Sequence, residues 1–474
     1  MPDSLPHSAL ARSPEAKPAE GRGRLLAVIS TRPAAAASGD PQAADGVARP
    51  APQAVAASRS APSSRRLAWL DALRGIAALC VVYAHFSTHV LPQVHNAVYN
   101  VFDPGLYGVL VFFMISGYIV PSSLERKASI RRFWISRLFR LFPLFAFAVV
   151  AALLLHDVGY APLRGTQYNP AASVLAHLFM LDDLLGGNNL IVVLWTLSYE
   201  MVFYLLLTAL FTVGLHKRSG RLAAIFALGA VLLGGILPTI WLSHSALGLT
   251  RVALIADILV LGGLSMAVAA RGLPRTLGAW LAAATGLVLV TLNERANAFE
   301  GLTILALMFT GTLLYRAEQG QISRRRAGVV AAGIVGAAIA AGAWHIPSVA
   351  GDTPLQQREW VVSVALAGLT FALGLRLRNL PVPSALAWLG LVSYSVYLLH
   401  PLLIDVYGSI PFAAEPHPAG LQVALTAAFL AALLACCALT YYLVEKPMQR
   451  LGRGIAAHLD ARLGSDRAEA REPA

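Results

Sequence analysis

LAWLDALRGIAALCVVYAHFSTHVL, residues 67–91, is the stretch whose reading decides the fold. It is long enough to cross a bilayer as a helix, yet it contains Arg74 and His85. An arginine at bilayer depth costs roughly 2.5–3.5 kcal/mol or more unless it faces protein or a water-filled cavity. Eleven residues at 100° each make three turns plus about 20°, so both side chains share one helix face, roughly 16 Å apart. Asp71, three residues before Arg74, can pair with it on that face. A spanning helix that carries a cation and a titratable base along one stripe is expected to do chemistry or to move something.

Working outward, the composition agrees. The chain is 57% hydrophobic and 13% charged, with mean hydropathy +0.63, against about 25% charge in soluble proteins. The net charge of +12 does not indicate a nucleic-acid partner, because the basic residues cluster between apolar runs as the positive-inside rule requires. Cys80, Cys436 and Cys437 all fall in expected spans and have no metal-ligand spacing, so they read as packing residues.

Apolar runs recur at 67–91, 105–121, 138–156, 189–213, 222–243, 251–270, 277–293, 299–315, 327–346, 359–375, 384–408 and 420–444. The expected fold is an all-α, polytopic integral membrane helical bundle of 10–12 transmembrane helices, with the second and seventh runs the weakest. Residues 1–64, rich in Pro, Ala, Ser and Arg, read as a disordered cytoplasmic tail, 65–451 as the membrane domain and 452–474 as a polar cytoplasmic tail. With the N-terminus inside, seventeen Lys and Arg fall in inner loops, beginning with Arg126, Lys127, Arg131, Arg132, Arg137 and Arg140. The outer loops hold four: Arg164, Arg251, Arg295 and Arg358. The bias favours twelve spans in the plasma (inner) membrane with both termini cytoplasmic, and a sizeable outer loop at 157–188.

Further polar groups interrupt the apolar runs. In ERKASIRRFWISRLFRLFP, residues 125–143, Arg137 and Arg140 share a helix face. They read either as positive-inside anchors or as a phosphate clamp, since guanidinium binds phosphate bidentately. WTLSYE, 195–200, puts Glu200 inside a span with Thr196 four residues before it, as a structural ion pair or a catalytic carboxylate. SYSVYLLHP, 393–401, places Ser393, Tyr397 and His400 on one stripe, with Pro401 expected to kink the helix where the stripe ends. FFMISGY, 112–118, reads as close packing at Ser116 and Gly117. His89 lies one turn from His85, but no third ligand accompanies the pair, so no metal is expected.

In their order along the chain these pieces resemble the acyltransferase 3 family of integral membrane acyltransferases, from residue 70 to about 451. LDALRG followed by His85 is similar to the family's R-x10-H element. FFMISGY, RLFRLFP, WTLSYEMVFY, SYSVYLLH and the Glu445-Lys446-Pro447 that follows the last run resemble its other motifs. Tyr118 stands where Phe is commoner, and Met201 where a second acidic residue is frequent.

That resemblance implies transfer of an acyl group, usually acetyl, from cytoplasmic acyl-CoA to a hydroxyl of a carbohydrate or other acceptor, such as a cell-surface or exported polysaccharide. Acyl-CoA would be a co-substrate, with no permanently bound cofactor, and the stand-alone type without an extracytoplasmic domain is the one resembled. On this reading Arg137 and Arg140 hold the CoA phosphates and Arg74 guides the thioester. His85 is general base or transient acyl carrier, with Glu200 or Tyr397 fixing its tautomer or positioning the acceptor. Tyr397, His400 and Ser393 are the candidate substrate-positioning residues. The alternatives are a secondary transporter and a non-catalytic membrane partner of a glycan assembly system. Neither inverted repeats nor an echo of the Arg74/His85 helix supports the first.

Overall fold

A computed structural model describes residues 67–162, 170–187, 189–295, 297–348, 353–410 and 417–463. The expected tail at 1–64 and the residues after 463 lie outside them. The chain forms α1 (Ala68–Val90), α2 (Pro92–Tyr99), α3 (Pro104–Lys127), α4 (Ile130–Asp157) and α5 (Pro170–Leu178). There follow α6 (Trp195–Thr212), α7 (Ser219–Leu233), α8 (Ala246–Ala269), α9 (Gly272–Leu292), α10 (Ala298–Glu318) and α11 (Arg324–His345). The last are α12 (Pro354–Leu377), α13 (Ser384–Leu391), α14 (Ser393–Gly408), α15 (Ala419–Thr440) and α16 (Lys446–Leu463). Ten helices among the described residues are long and apolar enough to cross a membrane, and α13 with α14 makes an eleventh as a broken pair. The all-α polytopic bundle expected from the apolar runs is therefore what the chain builds.

Local chemistry sets the helix starts. Asp103 accepts the Gly105 and Leu106 N–H groups at 2.7 and 3.1 Å, and Pro104 occupies the first turn of α3. Thr353 and Gln356 form a capping box at α12. The sequences of α6 and α10 are apolar around the whole circumference, and these two helices become the centre. They have 83% of their apolar windows inside the protein, against 33% or less for α4, α8, α11, α12 and α15. Gly117 lets α3 cross α10 closely, since a Cβ there would collide with the Met308 carbonyl.

Four elements differ from the sequence-based expectation. The basic stretch after α3 is not a loop: Ser129 accepts the Arg132 N–H at 3.2 Å and starts α4 at Ile130, which then continues through Pro143. The run at 222–243 gives the 15-residue α7 only, because Gly234, Gly235 and Pro238 end it. At 1.5 Å per residue it is roughly 22 Å long, and residues 234–245 complete the crossing, since His216 before it meets Arg316 at one end of the bundle and Ser243 after it meets Asn293 at the other. The run at 384–408 bends by 69° before its polar stripe and not after it. α14 runs on through Pro401, while the break falls at Val392 beside Gly390, whose Cα lies against the Asp71 backbone so tightly that no Cβ fits. The Ser393 hydroxyl takes up the Gly390 carbonyl at 2.8 Å there.

The fourth difference is at the end of the chain. Residues 452–463, expected as polar tail, are helical. Arg131 (3.6 Å) and Arg132 both pair with Asp460, and Phe139 lies against Gly452, so α16 is fastened along α4.

Candidate active site

α1, α3, α4, α6 and α14 surround a narrow cavity of about 90 Å³, toward the end of the bundle where the Arg-rich helix termini gather. Arg74, Arg137, Arg140, Glu200, Ser393 and Tyr397 all line it, together with Ser116, Thr196 and Tyr394. Six expected positions from four separate motifs thus meet in one place.

Their partners differ from those expected. Arg74 pairs with Asp71 at 3.5 Å, as the spacing predicts. Glu200 is held by hydroxyls: Ser116 Oγ donates to Oε1 at 3.1 Å, and Tyr204 Oη donates to the same oxygen. Arg137 is buried with its guanidinium over the rings of Phe133 and Tyr204, 5.4 and 5.2 Å from their centroids, a geometry worth about 0.5–2 kcal/mol. Three guanidiniums and one carboxylate, Glu200, line the cavity wall itself, with Asp71 beside Arg74 and Glu445 near Arg140 behind it, so the wall that a ligand would touch suits an anion. Ser116 faces the cavity while its neighbour Gly117 does the packing. Tyr204 carried its own signal, four residues after Glu200 on the same face.

His85 lies at the far end of α1, in the wall of a second cavity of about 680 Å³. Thr88, His89, Tyr160, Asp405 and Ser409 share that wall. The ring nitrogen held against His85 belongs to His400, from α14. His85 Nδ1 and His400 Nε2 are 2.9 Å apart and the rings stack at 5.1 Å. His400 is fully buried, and its Nδ1 lies 3.0 Å from the Val396 carbonyl. A carbonyl only accepts, so Nδ1 of His400 carries the proton, and with both rings neutral Nε2 of His400 accepts from His85 Nδ1–H. The lone pair of His85 is then at Nε2. The hydrogen bond that sets this tautomer is the one made to His400, which leaves positioning of the acceptor as the part expected of Glu200 or Tyr397.

Tyr397 does something else. Its hydroxyl meets Thr196 Oγ1 at 2.9 Å and donates to the Val193 carbonyl at 3.2 Å, tying α14 to the start of α6. With Phe112 edge-on to its ring at 5.7 Å, Tyr397 walls the narrow cavity one helical turn from His400.

Two buried polar groups escaped the sequence reading altogether. Arg316, counted there as a loop charge, is 2% exposed and joins Glu125, the His216 carbonyl (3.0 Å) and Gln321 (2.6 Å), closing α3, α10 and the turn before α7. Burial lowers the His216 imidazole from its ordinary value. At the other end, residues 179–187 bury Asp182 and Asp183 and are tied to Asn293, whose Nδ2 donates to the Leu184 carbonyl at 2.9 Å. Burial pushes the Asp183 carboxyl up to about 6, against the opposing pull of its Asn189 hydrogen bond. Glu294, beneath this loop and accepting from Tyr199 at 2.6 Å, is raised well above the usual carboxylate range, again by burial. Neither group follows from a local pattern, because each is buried by segments distant in the chain.

Comparison with known proteins adds to this geometry. The chain is 29% identical over 181 residues to the putative peptidoglycan O-acetyltransferase YrhL of Bacillus subtilis, covering 35% of this chain and 27% of that protein. It is 35% identical over 140 residues to nodulation protein 10 of Rhizobium leguminosarum, 26% of this chain and 38% of the relative. It is 28% identical over 152 residues to the acyltransferase MdmB of Streptomyces mycarofaciens, 30% and 39%. The matches thus span between about a quarter and two fifths of these relatives' lengths. No solved structure matches the chain. The profile of the acyltransferase domain, the acyltransferase 3 family, matches residues 67–442. Because that match contains every residue of both cavities and runs through most of the chain, the protein belongs to the acyltransferase 3 family.

Proposed function

We propose that this protein is a membrane O-acyltransferase that moves an acyl group, acetyl in the first instance, from acyl-CoA to a hydroxyl of a carbohydrate acceptor on a cell-surface or exported polysaccharide. One observation carries the reading: α1 has three guanidiniums around its Arg74 end and a paired, tautomer-defined imidazole at its His85 end, each in its own cavity. Family membership and the names of relatives such as the peptidoglycan O-acetyltransferases support it.

In this reading the basic end faces the cytoplasm of a plasma-membrane protein with both termini inside. Arg140 and Arg137 bind the CoA phosphates, and the narrow cavity admits the thread-like pantetheine arm past Arg74. The acceptor enters the wide cavity. His85 Nε2 takes the proton of its hydroxyl, the oxygen attacks the thioester carbonyl, and the C–S bond breaks. The proton then passes from His85 to the departing thiolate, so ester and free CoA leave with all atoms balanced. Arg74, roughly 16 Å from His85 along α1, guides the pantetheine arm toward the imidazole, and His85 alone handles the proton at the reacting carbonyl.

His85→Ala and Arg74→Ala are expected to abolish turnover of radiolabelled acetyl-CoA by the purified protein while leaving membrane insertion intact. Near-normal acylation by His85→Ala overturns the mechanism. Comparing surface glycans with and without the gene, by a mass difference of one acetyl group, identifies the acceptor.

A further inference from the structure

A third cavity lies away from the Arg74–His85 axis, between α10, α11 and α12, with Met114 of α3 in its wall. It holds about 860 Å³. Beyond it Trp360 joins the same two helices, its indole N–H donating to the Ala338 carbonyl at 2.9 Å and its ring lying flush against Gly342. Farther along, α11 presents Gly328, Ala332 and Gly336 toward Gly368 and Ala372 of α12. Gly328 and Gly336 have no heavy atom within 4 Å of where a Cβ would stand. The space beside these two glycines is therefore open, and although Val335 packs against Gly368 within the same stretch, a fissure runs along the Gly328–Gly336 side of the contact.

What fills the fissure follows from its opening and its charge. α11 and α12 have only 33% and 28% of their apolar windows inside the protein, so the slot between them opens onto hydrocarbon. Its mouth is at the basic end of the bundle, lined by Arg324, Arg376 and Arg378. Arg378 is held by Glu318 at 3.4 Å. Arg324 and Arg376 are exposed, and no ion pair with a described residue engages them. An apolar slot with two guanidiniums at headgroup depth that no described carboxylate engages complements a molecule with a long alkyl chain and an anionic phosphate head.

We propose that this fissure is a binding site for an anionic glycerophospholipid, one acyl chain lying along Gly328, Ala332 and Gly336 and the phosphate between Arg324 and Arg376. A zwitterionic lipid would bring its own ammonium group against the same arginines, so the site discriminates by headgroup. None of these residues lines the other two cavities, and the site stands whether or not the proposed acyl transfer does.

The test is native mass spectrometry of the full chain in mild detergent, titrated with dioleoyl-phosphatidylglycerol or dioleoyl-phosphatidylcholine. The wild type is expected to retain one phosphatidylglycerol at concentrations about tenfold below those needed for phosphatidylcholine. Arg324→Gln with Arg376→Gln should remove that preference, and Ala332→Leu, which fills the slot but keeps both arginines, should weaken retention of either lipid several-fold. Equal retention of the two lipids by the wild type overturns the proposal, as does an unchanged preference in the double glutamine variant. Displacement of the lipid by inorganic phosphate alone would also overturn it, since it would show that the acyl chain has no seat. If the double variant does not fold, Ala332→Leu still decides.

Discussion

His85 shows how much a single residue owes to its partner. A histidine near neutral pH suits general base catalysis, but only one of its nitrogens is basic in the neutral ring. The chain Val396 carbonyl, His400, His85 directs that lone pair to Nε2. His400 needs only to accept a hydrogen bond at this point, so His400→Gln, which keeps an acceptor within similar reach, is expected to retain most activity. His400→Leu should lose about 100-fold in kcat, within the range that positioned general bases contribute, and should shift the pH profile. Equal activity of the leucine variant in acetyl-CoA turnover would refute the positioning role. Arg74→Lys separates charge from geometry: partial activity means that charge suffices, and complete loss means that the planar fork is needed. The shared face of Arg74 and His85 was legible in their spacing. The His85–His400 bond was not, because 315 residues separate its two members.

Among the elements, apolar length alone located the spanning helices but missed where they begin and break. Ser129 turns an expected loop into the first turns of α4, so that Arg137 stands against Phe133 and Tyr204 on a rigid helix. The bend at Val392 reflects contact between α13 and α1 at Gly390, a tertiary constraint that outweighs the proline at 401. The α3–α10 crossing makes a direct prediction. Gly117→Val places a branched side chain against the Met308 backbone, and overpacking of this kind costs about 1–3 kcal/mol or more. The variant should unfold at lower temperature or fail to insert, and wild-type thermal stability would contradict the crossing.

The segment 179–187 carries a pH prediction. Asp183 is a carboxyl whose folded-state pKa is raised to about 6 by burial. The stability that its protonated form contributes is therefore fully present below the ordinary carboxylate value and is lost as pH rises through about 6. The difference amounts to roughly 3 kcal/mol at most. Protection factors of amides in this segment, with the intrinsic base-catalysed rate divided out, should be lower at pH 7 than at pH 4.5, and Asp183→Asn should remove the difference. Unaltered pH dependence in the asparagine variant would show that another group governs it.

For the whole molecule, the Arg316–Glu125 pair joins α3 and α10 at the basic end and is fully enclosed on the arginine side. Breaking a buried pair leaves an uncompensated charge, so Arg316→Ala should cost about 3 kcal/mol in thermal unfolding. A surface-like loss of a few tenths would mean that the pair is solvated. The sequence by itself determined the class of molecule: apolar runs of spanning length, separated by basic segments, leave a helical membrane bundle as the fold that satisfies every backbone group in hydrocarbon. It determined which polar residues were too costly to be incidental, since an ionisable side chain inside a span must face protein or water. Only the tertiary structure decided how those residues are shared out, with arginines and Glu200 around one cavity and His85 with His400 at another. That division depends on packing between helices remote in sequence. Helical periodicity reports the face a side chain occupies, but not the helix that will meet it there.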